Sequence, residues 1–175
     1  MAKSITTKEL ARKVDDPNLA PFILDVRAPD QFARWQIEGK IRPETVNVPY
    51  WTAIEQDEDT RSLIPSELDV VVVCAKGDSS DLVVDVLGLS KMVNLDGGMD
   101  AWGTTLVPHT MHDDGEEFMI QLDRIAKACL SYAIGERGAE MAVIDPAADL
   151  EAYLQVSEEM DAPITHVFDT HLHAD

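Results

Sequence analysis

The polar and apolar positions fall into two textures that change near residue 105. Between Thr6 and Val14, Leu10 and Val14 stand four residues apart among Lys8, Glu9, Arg12 and Lys13, the spacing of one buried helix face. Thr6 followed by Glu9 three residues on has the form of a capping box, so a helix is expected there. "PFILDV" is a short unbroken apolar run, the pattern of a strand buried on both faces of a parallel sheet. "PDQFARWQI" puts Pro29 at a first helical position, and "TVNVP" reads as a short strand halted by Pro49. "DVVVVC" is a β-branched strand ending at Cys74, followed by the polar loop "AKGDSS". The helix "SDLVVDVLGL" comes next, with Leu82, Val83, Val86 and Leu87 expected on its apolar side. "MVNL" gives another strand and "DGGMDAWG" a glycine turn into a short helix. Strands alternating with helices predict a parallel α/β sheet up to about Gly103.

The segment "TTLVPHTMHDDGEE" has no period and contains Pro108 and Gly115, so residues 106–116 are expected to be a linker between a domain at 1–105 and a second at 117–175. "FMIQLD", "CLSYAIG" and "EMAVID" read as three successive strands, with "ERGA" as a hairpin turn. A helix is expected to start from Pro146, and "ITHVFDT" reads as a strand leading into two histidines. No repeat or low-complexity tract occurs.

Composition narrows the function. The 175 residues are 45% hydrophobic, a globular value, and carry a formal net charge of −19. Such a surface repels nucleic acid and anionic membrane, leaving small molecules as partners. The acidity fits either adaptation to high salt or an ordinary acidic soluble protein. No run of eighteen apolar residues exists and no apolar signal core follows Lys3, so a cytoplasmic protein is expected. Cys74 and Cys129 lie in different elements and do not suggest a disulfide framework.

Cys74 is the first candidate for chemistry. Ligands bind parallel sheets at the carboxyl ends of strands. Loop N–H groups there can curl around the sulfur, and the positive end of the next helix adds to them. Both favour the thiolate, which makes Cys74 a candidate nucleophile, with Lys76 a nearby cation and Gly77 permitting a tight backbone path. A phosphatase loop also sets a cysteine between strand and helix, but it needs an arginine to clamp phosphate, and "CAKGDSSD" has none while Asp78 would repel the anion. A lone cysteine can also simply be a small buried hydrophobe.

"ILDVR", "GKIRPETVNVP", "VVVVCAKGDSS" and "LDGGMDAW" appear in the order and spacing of a rhodanese domain, and "CAKGDSS" resembles the C-x-x-G-x-S-S loop of single-domain sulfurtransferases. The resemblance implies a persulfide on Cys74, cradled by the loop Ala75, Lys76, Gly77, Asp78, Ser79 and Ser80, with no cofactor. It implies thiosulfate, low-molecular-weight persulfides or thiols as substrates. Asp25 and Arg27 match the family's Asp-x-Arg and are expected to brace the fold near the site. Lys40 stands where a histidine is common. A non-catalytic rhodanese-like binding module is the rival from another class.

The second candidate is "DTHLHAD". His171, His173 and Asp175 alternate at a strand end, where paired imidazoles and a carboxylate suit zinc or iron. His109, His112 and His166 read as ordinary polar residues. From Phe118 onward the chain resembles the beginning of a metallo-β-lactamase fold, an incomplete αββα arrangement that stops within the T-H-x-H-x-D-H motif. A rhodanese fused to such a fold resembles the persulfide dioxygenases, which are glyoxalase II-like and use one iron; His173 would then match an iron ligand. A glyoxalase II-type hydrolase is the alternative. The expectation is a fragment that ends in its metal motif, its strand edges covered by dimerisation or packing.

Overall fold

Two sheets organise the chain, whose structure, a computed structural model, describes residues 3–172. The backbone divides into two compact units, residues 1–103 and 104–175.

In the first unit the chain runs β1 (Ser4–Ile5), α1 (Thr7–Val14), β2 (Phe22–Asp25), α2 (Pro29–Arg34), β3 (Thr45–Asn47), α3 (Tyr50–Glu55), α4 (Asp57–Ser62), β4 (Val70–Val73), α5 (Asp78–Leu87), β5 (Met92–Leu95) and α6 (Gly98–Thr104). The strands form one parallel sheet in the order β1-β5-β4-β2-β3. The parallel α/β expectation therefore holds. All four residues of β2 and of β4 are buried, as their uninterrupted apolar runs require. Phe22, Leu24, Val70, Val72 and Met92 pack with Ala53 of α3 and with Val83, Val84 and Leu87 of α5. Each of the Phe, Leu, Val and Met side chains contributes about 1.5–3 kcal/mol on burial, so this one face supplies much of the unit's stability.

The capping box forms as expected: Glu9 N–H donates to Thr6 Oγ1 at 3.2 Å and Thr6 N–H to Glu9 at 3.0 Å. Helix α5 differs in phase from the expectation. Its buried residues are Ser80, Val83, Val84 and Leu87, and Leu82 is exposed. The run "LVV" allows either phase, and the loop-facing Ser80 fixes the one adopted. Helix α2 ends at Arg34, because Trp35 turns to extended backbone. Helices α3 and α4 and strand β1 were not expected from the pattern.

The second unit runs β6 (Leu106–Asp113), β7 (Glu117–Arg124), β8 (Cys129–Glu136), β9 (Met141–Ile144), α7 (Leu150–Met160) and β10 (Ile164–Phe168). The order is β10-β9-β8-β7-β6, antiparallel except for the parallel pair β9–β10. Phe118, Ile120, Leu122, Ala133, Met141 and Val143 pack beneath Ala152, Tyr153 and Val156 of α7. The three expected strands and their hairpin turn are present.

Two expectations are corrected here. Residues 106–116 are not a linker: Leu106–Asp113 is strand β6, and the "DDGEE" cluster is the hairpin turn into β7. Pro108 is tolerated because β6 is an edge strand, where one missing N–H need not break a ladder, and a register shift at Thr110/His112 obscures the period. Helix α7 starts at Leu150, not Pro146. Asp149 caps it by accepting from Glu151 N–H at 3.3 Å, while Ala147 N–H is drawn aside to the Tyr153 hydroxyl at 2.8 Å. Among the described residues no helix is long and apolar enough to cross a membrane.

Candidate active site

Strand β4 delivers Cys74 to its carboxyl end, and the chain then folds directly into α5 with no side-chain cap. Gly77 occupies the N-cap position at φ 98°, a left-handed conformation that glycine adopts without a Cβ penalty. The sulfur takes the place of the cap. Gly77 N–H donates to Cys74 Sγ at 3.0 Å, and Ser80 Oγ lies 3.1 Å both from that sulfur and from the Gly77 carbonyl oxygen. A hydroxyl has one proton, so Ser80 donates to one of the two at a time, and a negative sulfur draws it away from the neutral carbonyl. Cys74 is 5% exposed. A thiolate there is held by two donors at the positive end of a helix and shielded from bulk solvent.

The remaining loop residues have different places. Ala75 is half-buried, Lys76 and Asp78 are exposed, and Ser79 is half-buried. None of the four hydrogen-bonds Sγ among the described residues. A second sulfur bonded to Sγ would lie about 2.05 Å from it. Lys76 lines a cavity with Asp78, Asp81 and Asn94, and Cys74 is not among its lining residues.

Asp25 and Arg27 are brought together, both buried at 1% and 7% exposure. Arg27 Nε donates to Asp25 Oδ1 at 3.0 Å and Nη2 to Oδ2 at 2.6 Å, a two-point pairing. Nη2 also donates to the Trp35 carbonyl at 2.5 Å, and Asn47 Nδ2 donates to the carbonyls of Asp25 and Arg27 at 2.9 and 3.0 Å. The cluster pins the carboxyl end of β2 beside β4, where Val26 N–H reaches the Val73 carbonyl at 2.8 Å. Lys40 pairs with Asp15 at 3.2 Å.

Sequence reasoning missed the support of the loop by α6. Met99 N–H donates to the Cys74 carbonyl and Asp100 N–H to the Ala75 carbonyl, each at 2.9 Å. The close approach depends on Gly98 at φ 56°: a Cβ there would collide with the Cys74 carbonyl oxygen and come within 2.8 Å of Lys76 N. The signal was the glycine pair in "LDGGMDAW".

In the second unit, His171 is the one residue of the expected metal set that falls among the described residues; His173 and Asp175 lie outside them. His171 Nδ1 is 3.8 Å from Asp145 Oδ2, and Thr170 donates to Asp145 through N–H and Oγ1, both at 2.6 Å. Among the described residues no three His, Cys, Asp or Glu side chains stand close enough to hold a metal ion.

No match is found among curated proteins. Among solved structures, a rhodanese-like domain protein from Staphylococcus aureus is 32% identical, covering 58% of this chain and 91% of its own, with a TM-score of 0.46. The rhodanese-like domain of an Anabaena protein is 22% identical over 58% of this chain and 74% of its own, with a TM-score of 0.47. A single-domain sulfurtransferase of Saccharomyces cerevisiae is 19% identical over 58% and 89%, with a TM-score of 0.42. The family profile of the rhodanese-like domain matches residues 6–105, more than half of the chain, and the chain belongs to that family.

Proposed function

We propose that the first unit is a sulfurtransferase working through a persulfide on Cys74. The observation that carries this reading is the buried Cys74 sulfur at the end of β4, accepting from Gly77 N–H and placed against Ser80 Oγ at the start of α5. The Cys74 thiolate attacks the outer sulfur of a donor such as thiosulfate. A sulfur–sulfur bond forms at Sγ, and the donor's own sulfur–sulfur bond breaks, sulfite leaving with the electron pair. An acceptor thiolate or cyanide then attacks the outer sulfur, and the pair of the broken bond returns to Sγ. Gly77 N–H and Ser80 Oγ hold the charge on Sγ at both ends of the cycle. No cofactor is required, because nucleophile and donors all come from the chain. Both cysteines are free, which suits a reducing compartment such as the cytoplasm.

For the second unit we propose kinship with the opening part of the metallo-β-lactamase fold. Its support is the β6–β10 sheet with α7 on one face, and Asp145 gripping Thr170 at the start of "THLH". The parent would then be a rhodanese–persulfide dioxygenase fusion, or a rhodanese joined to a glyoxalase II-type hydrolase.

Incubation with thiosulfate, followed by intact and peptide mass measurement, tests the sulfurtransferase reading. One added sulfur on Cys74, absent from a Cys74→Ser variant that also transfers nothing to cyanide, supports it. Transfer retained by the serine variant would show that Cys74 is not the sulfur carrier, and a parent that neither gains sulfur nor transfers it would reduce the first unit to a binding module.

A further inference from the structure

We infer that the free edge of β10 is a docking edge for a second copy of this chain, the two β10 strands pairing antiparallel about Val167. The inference concerns the second unit and does not depend on the sulfur chemistry of the first.

The two edges of the second sheet are built differently. β6 closes one side with Pro108 inside the strand and a register shift at Thr110/His112, both of which hinder a further strand from pairing. β10 closes the other side. Its own register shift, at Ile164/His166, comes early, and His166, Val167 and Phe168 then pair in unbroken register with Ala142, Val143 and Ile144. No Asp, Glu, Lys or Arg stands between Asp161 and Asp169, in a chain with 33 acidic residues. Val167 and Phe168 are 59% and 54% exposed in the whole chain, so neither unit covers them. An uncharged strand edge with exposed apolar side chains is a template for another strand, and an edge meant to stay open is blunted with charge.

The backbone sets the register. Asp145 N–H donates to the Phe168 carbonyl at 2.7 Å, so Phe168 turns its backbone polar groups towards β9. Successive residues of a strand alternate, so Val167 turns its N–H and C=O out of the sheet. When two β10 strands meet antiparallel, Val167 can exchange both hydrogen bonds with the partner's Val167, on the two-fold axis. His166 and Phe168 share a face, their stacked rings 6.0 Å apart. In this register His166 stands opposite the partner's Phe168, and Phe168 opposite the partner's His166. These are the closer, non-hydrogen-bonded positions, where ring pairs across strands gain most.

Charge selects the occupant and its direction. A basic partner would be drawn to the acidic surface elsewhere, whereas this edge carries no carboxylate. Pairing about Val167 sets Asp169 opposite the partner's Thr165, so no two carboxylates meet. A parallel pairing in register would place Asp169 beside the partner's Asp169, a like-charge clash. The strand therefore complements itself in one orientation. The contact is short and belongs with weak, transient interfaces. Two chains of net charge −19 also repel, so association should strengthen as salt screens them.

The test is sedimentation equilibrium of the full chain over a range of concentrations. It is run in low salt and in potassium chloride at about 0.5 M, where the screening length falls to about 4 Å. A monomer–dimer equilibrium that tightens with salt is expected, with amide exchange at Val167 slowing as concentration rises. Val167→Lys sets two ammonium groups against each other on the two-fold axis and should weaken the dimer roughly tenfold or more. Met111→Lys, at an exposed position of the β6 edge, changes the net charge equally and should dimerise as the parent does. Unchanged exchange at the buried β7 residues Phe118, Ile120 and Leu122 shows that both variants are folded. The inference is overturned by a chain that stays monomeric at both salts, or by a dimer that loosens with salt. It is equally overturned by Val167 exchange that ignores concentration, or by equal weakening in the two variants.

Discussion

Gly98 lies directly beneath the carbonyl oxygen of Cys74, so the loop that holds the sulfur rests on the first turn of α6. A Gly98→Ala change adds a Cβ that meets that oxygen and must also hold φ near 56°, which L residues resist. The expected cost is on the order of 1–3 kcal/mol in stability. The larger effect is on transfer: displacing the loop by about 1 Å should lower the rate roughly a hundredfold. Thermal melting and cyanide-coupled turnover measure the two, and a variant with parent turnover would show that α6 does not position the loop.

Ser80 Oγ, 3.1 Å from Cys74 Sγ, is expected to serve the anionic sulfur. Hydrogen bonds to charged groups contribute about 1.5–3 kcal/mol. Ser80→Ala should therefore slow alkylation of Cys74 by iodoacetamide at neutral pH by roughly tenfold, since ~1.4 kcal/mol is a factor of ten. Exposed Cys129 supplies the internal control and should react at an unchanged rate. Equal slowing of both thiols would point to a general change instead.

How far the site could be read from sequence follows from how local its parts are. Cys74, Gly77 and Ser80 lie within seven residues, from the end of an apolar run into the first turn of a helix, so the strand–loop–helix path and its sulfur could be inferred directly. Gly98 supports the same loop from over twenty residues away: the glycine pair signals an unusual backbone, but only the β4–β5 pairing shows what that backbone touches. The pair Asp25–Arg27 could be recognised, but the Asn47 and Trp35 groups that complete it come from other elements. Helices α3 and α4 escaped notice because "YWTAIEQDEDTRS" buries only Ala53 and Thr60, too few positions to set a period. Strand β6 was hidden by Pro108, which only an edge position makes harmless.

The buried pair of Asp25 and Arg27 should be the most sensitive point of the first unit. Asp25→Ala strands a guanidinium at 7% exposure, and loss of one partner of a buried pair costs about 3–5 kcal/mol. Arg27→Lys keeps the charge but cannot make both the two-point contact to Asp25 and the bond to the Trp35 carbonyl, so a smaller loss is expected. Urea unfolding of both variants checks the order. Arg27→Lys as damaging as Asp25→Ala would mean that geometry, not charge compensation, dominates.

The β6–β7 turn should respond to acid. Asp113 is held below its ordinary value of 3.8 first by Gly115 N–H, at 3.1 Å, and then by Arg137, whose Nη2 donates at 2.8 Å. Asp114 is held down by Glu116 and Glu117 N–H groups at 3.0 and 2.8 Å. Both pKa values are depressed in the folded chain. Their contribution is therefore present above the unfolded value and lost as pH falls through the folded one. Protonation removes the charge that attracts those N–H groups, so the turn should loosen below about pH 4 while the rest of the sheet persists. Amide exchange at Gly115, Glu116 and Glu117 should accelerate in that window relative to the intrinsic rate at each pH. In a D113A/D114A variant the same amides should exchange quickly at neutral pH and show no further opening on acidification. Protection that is flat from pH 7 to 3 in the parent would show that the carboxylates do not hold the turn.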